Sequence, residues 1–268
     1  MVYFYMEHIT FAIFAAVMEN IKKLIPNSYN DTPIPSVKPE IRNAGLQKYI
    51  ESEILPIYQS FDAAHQTDHV LMVINQSLQL ATTISNSPRY LNPDGSAMII
   101  SEDMAYTIAA YHDLGLQEGR MTHHLVSGRI LRGDKQLSEW FTPEQIETMA
   151  QAVEDHRASS DHAPRSIYGK IVAEADRFID TSTILRRTIQ YGFKYYPELN
   201  REEQIERALG HLDEKYAEGG YMKLWIPESP NAERLHALQA LIKERTEIRG
   251  ILASIYDQEI DNSTLNTK

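Results

Sequence analysis

The sequence predicts an all-α fold, and three observations carry that prediction. From Gly45 onward apolar residues recur at spacings of three and four, no stretch sustains a period-two alternation, and residues that cap helices stand at the starts of several runs. Side chains three and four apart share a helical face, so each run buries one stripe against its neighbours. A compact helical bundle with additional C-terminal helices is the expected architecture. At 268 residues and 43% hydrophobic content the chain can enclose one substantial core. The expected division is an apolar segment and linker over residues 1–44, then a helical domain with its C-terminal extension over 45–268.

Glu7 and His8 interrupt the apolar, aromatic start, no basic region precedes it, and no small-residue cleavage pattern follows. A docking helix or an over-long start, with Met6 and Met18 as alternative initiators, is expected rather than a membrane anchor. The stretch from Pro26 to Pro39 is rich in Asn, Ser and Pro and reads as a linker. The first helix of interest aligns Val70, Val73, Ile74, Ser77, Ala81 and Ile84, with His69 bordering that face. Ser101 is the expected N-cap of the next, whose first turn holds Glu102 and Asp103 and whose inner stripe ends at His112.

After the break at Leu114 and Gly115, a short helix places His124, Ser127, Gly128 and Leu131 on one face, Gly128 allowing a close neighbour. Thr142, Pro143 and Gln145 give a strong start signal, and the stripe Ile146, Met149, Ala150 and Val153 leads to His156. Beyond Pro164, Tyr168, Ile171, Val172 and Ala175 align, and Asp176 adjoins them. Asn200 with Glu203 predicts a capping box, and Ser229 before Pro230 predicts the start of a long final helix. Between these lies the Gly-rich aromatic turn from Lys215 to Trp225, either an ordinary helix connection or a loop offering amides to an anion.

A formal net charge of −11 weighs against a nonspecific binder of long nucleic acid, because a phosphate backbone rewards basic stripes. With no cysteine there is neither a disulfide framework nor a thiolate-held metal. Any transition metal must rely on imidazole and carboxylate. His69, His112, Asp113 and Asp176 offer mixed nitrogen and oxygen ligation to one divalent cation, and the two remaining inward histidines, His124 and His156, can hold a second. Several histidines and two aspartates on apolar faces would be costly to bury alone, and a shared cation offsets those costs together.

The ordered set His69, His112-Asp113, His124, His156 and Asp176 resembles the HD-domain superfamily of metal-dependent phosphohydrolases over about Gln47 to Asp180. The resemblance implies an all-helical core in which His69, His112, Asp113 and Asp176 hold one metal. It also implies that His124 and His156 serve a second, with Asp113 as the bridge. His124 is preferred over His123 because Ser127 and Gly128 follow on its face. Manganese or iron, one ion or two, suits this donor set.

The function expected is metal-dependent hydrolysis of a small phosphorylated metabolite or nucleotide. Asp113 is the catalytic carboxylate, Asp68 a candidate for proton transfer, and Arg177, Lys170 and Lys215 candidates for binding the substrate phosphate. His65 is a further candidate contact, and Arg120, Arg186, Arg187 and Lys223 are further candidate phosphate cations, most of them expected at the surface. Arg177, one residue past a ligand, is expected at the pocket rim. A di-iron oxygenase of the inositol-oxygenase type and a noncatalytic regulatory module remain alternatives. A cytoplasmic protein is expected, with no long nucleic acid and no stable membrane anchor, and a homo-oligomer stays open.

Overall fold

The computed structural model describes residues 43–61, 65–160, 162–177 and 179–265. The expected N-terminal docking helix and linker lie outside the described residues. Among those described, ten α-helices appear and no β-strand, with only an isolated bridge between Leu91 and Ala97. None of the described helices is long and apolar enough to cross a membrane. The described residues fall into two compact units, one of 43–177 with 223–232 and the other of 179–222 with 233–265.

The first unit begins with α1 (Ala44–Tyr49), capped by the Asn43 side chain, which accepts from the backbone N–H groups of Gly45 and Leu46. A π turn and a 3-10 turn carry the chain through Tyr58. There follow α2 (Thr67–Ser85), α3 (Glu102–Tyr111), α4 (His123–Gly133), α5 (Pro143–Glu154) and α6 (Ile167–Ala175). The caps behave as the sequence predicts. Ser101 accepts from Met104 N at 3.3 Å, and Thr142 with Gln145 closes a reciprocal capping box.

The stripe on α2 is buried at Val70, Val73, Ile74, Ala81 and Ile84, and it packs on α3 and α6. Ile108, Tyr111, Met149, Val153, Ile171 and Val172 complete the same core. The helices α4 and α5 pack closely because Gly128 has no side chain. A Cβ there would lie 2.6 Å from Glu154 Cγ and 3.1 Å from the Ala150 carbonyl oxygen. Arg132 on α4 bonds both Glu147 and Glu154 on α5.

The second unit contains α7 (Thr181–Tyr195), α8 (Arg201–Tyr216), the body of α9 (Pro230–Lys243) and α10 (Arg245–Leu265). The Asn200–Glu203 capping box is present at the start of α8. The single long final helix expected after Ser229 is instead two helices, broken at Glu244. The buried stripe explains the break. Leu235, Leu238 and Ile242 keep helical spacing, but the next buried residue is Ile248, six positions on, where one straight helix would turn its face away.

At the Gly-rich turn the amides of Gly220, Tyr221 and Met222 bond the carbonyls of Ala217, Glu214 and Lys215. Gly219, at φ +86°, permits this reversal. These three amides close the end of α8, so the helix-connection reading holds and they do not face an anion.

Candidate metal centre

The side chains that meet at the centre come from helix ends of the first unit. His69 lies in the first turn of α2, and His112 is the C-cap of α3 with Asp113 directly after it. His123 opens α4, His156 follows the end of α5, and Asp176 is the C-cap of α6. The end of α3 is held from two sides. Tyr58 donates to the Ala110 carbonyl at 3.0 Å and accepts from Asp113 N at 3.3 Å, while Tyr111 bonds the Asp134 carboxylate.

Asp113 divides the cluster. Its Oδ2 lies 3.3 Å from His112 Nε2 and 3.6 Å from His69 Nε2, whereas its Oδ1 lies 3.4 Å from His123 Nε2 and 3.5 Å from His156 Nε2. Asp176 Oδ1 joins the first side, 3.4 Å from His69 Nε2 and 3.8 Å from His112 Nε2. Two donor groups result, His69 with His112 and Asp113, and Asp113 with His123 and His156. Both have the size and composition to hold a metal ion.

The protonation of the rings sharpens this. His112 Nδ1 lies 2.7 Å from the Ala109 carbonyl, His123 Nδ1 2.8 Å from that of Arg120, and His156 Nδ1 2.6 Å from that of Val153. A carbonyl only accepts, so each Nδ1 carries a proton and each ring turns its Nε2 toward the cluster. His69 and His112 bring their Nε2 atoms to 3.3 Å, His123 and His156 to 3.1 Å. Two neutral rings would face each other lone pair to lone pair in the His123–His156 contact, so a cation or an added proton between them would relieve it, whereas His69 can donate to His112 itself. Ligand histidines are commonly fixed by such a carbonyl bond on their other nitrogen.

The charges respond accordingly. Burial opposes ionisation of Asp113, yet the surrounding imidazoles of His112, His156 and His69 hold its carboxyl well below the usual range. Asp176 is likewise held low against burial, chiefly by His69. Burial depresses His69, but its bonds to Asp113 and Asp176 outweigh that and push it up to about 9. His156 is raised by Asp113 against the same burial, whereas His123 is lowered by burial and by His156. A cation would replace these shared protons.

The sequence reading and the structure differ over the second histidine. It is His123, not His124, that reaches Asp113 and His156. His124 has a buried Nδ1 with no hydrogen-bond partner among the described residues, and burial with the neighbouring His156 lowers its pKa to about 4. The misreading came from assigning Ser127 and Gly128 to the ligand face. In the structure Ser127 Oγ accepts from Gly115 N at 2.8 Å and Gly128 faces α5, so the small residues serve helix contacts. At the first position of α4 the His123 ring is fixed to Arg120, before the helix begins. Tyr58 was also missed, since a tyrosine on an irregular turn leaves no periodic signal.

The other expected residues are placed variously. Asp68 is exposed beside His69, and Lys170 is half-buried on α6. His65 stacks edge-on against His69, with centroids 5.7 Å apart. Arg177, expected at a rim, is only 5% exposed, and its Nε and Nη1 have no hydrogen-bond partner among the described residues. Burial lowers its pKa. Lys215 belongs to the second unit, where its Nζ stands 5.0 Å from the Tyr216 ring centroid.

The helix ends thus gather four imidazoles and two carboxylates, a donor set that could hold a divalent metal. Residues 67–179 match the family model of the HD domain. The match contains every residue of the cluster. No curated protein and no solved structure matches the chain.

Proposed function

We propose that the protein is a metal-dependent phosphohydrolase acting on a small phosphorylated metabolite or nucleotide. The HD domain supports metal-dependent hydrolysis as the broad class. The observation that carries the two-cation reading is the division of Asp113, whose two oxygens serve two donor groups. In this reading His69, His112, Asp113 and Asp176 hold one cation and Asp113, His123 and His156 a second, manganese or iron being the metals best suited.

When bound, such a pair acts as Lewis acid toward a phosphoryl oxygen and lowers the pKa of nearby water. The chain's own residues contribute positioning. Tyr58 and Tyr111 hold the end of α3, and the three carbonyl bonds aim the rings before any ligand arrives. Asp68, exposed beside His69, is the carboxylate that this reading assigns to proton transfer. The net charge of −11 favours a small substrate over a long nucleic acid.

The test combines elemental analysis of the purified protein with a panel of phosphomonoesters and phosphodiesters, assayed with manganese and without oxygen. Phosphate or alcohol release from one class of ester is expected. Substrate-dependent oxygen uptake by an iron-loaded form, with no ester cleaved, would replace this reading with an oxygenase.

A further inference from the structure

A cavity of about 630 Å³ in the first unit is lined by Ser60, Phe61, Leu116, Gln117 and Arg120. Its walls are tied to both donor groups. Leu116 N bonds the Asp113 carbonyl at 3.0 Å, and the Arg120 carbonyl accepts from His123 Nδ1. Phe61 stands edge-on to Tyr58 with ring centroids 5.2 Å apart, and Tyr58 in turn stacks at 6.4 Å on His112. The walls of the cavity are thus held to residues of the cluster.

The charge in the cavity is distinctive. Arg89, Arg129, Arg132 and Arg165 are exposed arginines of this unit, and each holds a carboxylate. Arg120 is also exposed, yet among the described residues its guanidinium has no hydrogen-bond or ion-pair partner. In a chain of net charge −11 an unpaired guanidinium on a cavity wall is a place for an anion. Phe61 and Leu116 supply an apolar wall, and Gln117 an amide able both to donate and to accept.

We propose that this cavity holds the non-reacting part of the substrate, a planar ring carrying a second anionic group, with the ring against Phe61 and Leu116 and the anion on Arg120. The inference rests on the phosphohydrolase reading and narrows it to ring-bearing esters with two separated anionic groups. The cations would neutralise the reacting phosphoryl group, which leaves the guanidinium for the other. Arg120 is then a specificity determinant acting mainly on KM.

The experiment compares adenosine 3′,5′-bisphosphate with adenosine 5′-monophosphate, in turnover by the manganese-loaded protein and in calorimetric binding. The wild type should favour the bisphosphate by tenfold or more in kcat/KM, and Arg120→Gln should remove most of that preference through KM. Lys135→Ala, at an exposed lysine outside the cavity, should leave the preference in place. An equal loss on both compounds in Arg120→Gln would overturn the proposal, placing the guanidinium on the reacting phosphate, and so would no loss on either. Hydrolysis without an Arg120-dependent preference sinks this inference alone. Arg120-dependent binding of the bisphosphate without hydrolysis supports the cavity's role and sinks the phosphohydrolase reading instead.

Discussion

His123 Nε2 and His156 Nε2 stand 3.1 Å apart while the Nδ1 of each is bonded to a carbonyl three residues back. Were both rings neutral they would point lone pairs at each other, an arrangement that a shared cation or proton relieves. His123→Ala is therefore expected to reduce metal content from two ions toward one, with a loss of second-site affinity of about 10- to 100-fold or more. His124→Ala should leave two. Elemental analysis of both variants after dialysis against manganese checks this, and the reverse pattern would restore His124 as the ligand.

Asp113 is shared by both donor groups, so its replacement should not be selective. Asp113→Ala is expected to remove both ions and turnover while helical content by circular dichroism stays near that of the parent. Full activity in that variant would defeat the assignment.

Gly115→Ala probes how the loop after Asp113 is held. An added Cβ would meet the His123 carbonyl oxygen at 2.1 Å and Ser127 N at 2.7 Å, both backbone atoms that cannot rotate aside. A destabilisation of about 3 kcal/mol, at the upper end for overpacking, is expected in urea unfolding. Because His123 belongs to the displaced backbone, second-site metal should fall with it.

Tyr58→Phe removes the donor to the Ala110 carbonyl and the acceptor of Asp113 N, both buried. A loss of about 1–3 kcal/mol is expected, as for buried groups left unpaired. Weaker metal binding should accompany it, measurable by competition with a chelator. A stability unchanged by the substitution would show that Tyr58 does not anchor the end of α3.

Glu147 gives a pH-dependent prediction away from the cluster. Its bond to Arg132, opposed by slight desolvation, lowers its pKa to about 2. A lowered carboxylate pKa stabilises the fold above the unfolded value, near 4.5, and the contribution fades as pH falls through about 2. The side chain is 49% exposed, so solvent screening reduces the effect to about 0.5 kcal/mol or less at pH 7. Glu147→Gln should lower Tm slightly at pH 7, and the gap to the parent should narrow toward pH 2 in scanning calorimetry.

Much of the fold was legible because it rests on local signals. Ser101, Thr142 with Gln145, and Asn200 with Glu203 cap helices where their residue types predict. The buried stripe of α2 follows from spacing alone. His69, His112, Asp113, His156 and Asp176 could be grouped because each stands at or beside the end of an apolar run. The choice between His123 and His124 could not be made that way. It depends on a carbonyl bond made before α4 begins, and adjacent residues differ by about 100° only inside a regular helix. The break at Glu244 was legible in principle, as a phase shift between Ile242 and Ile248, but no glycine or proline marks it. The burial of Arg177 depends on tertiary packing, which one-dimensional spacing does not carry.

Each of His112, His123 and His156 takes its aim from a carbonyl three residues earlier in its own stretch of backbone. The direction of the ring is thus inherited from the turn that bears it, independently of the apolar side chains behind. Coordination and packing become separately mutable properties. The interior can drift among residues of similar volume over many substitutions while the three imidazoles keep the same bearing.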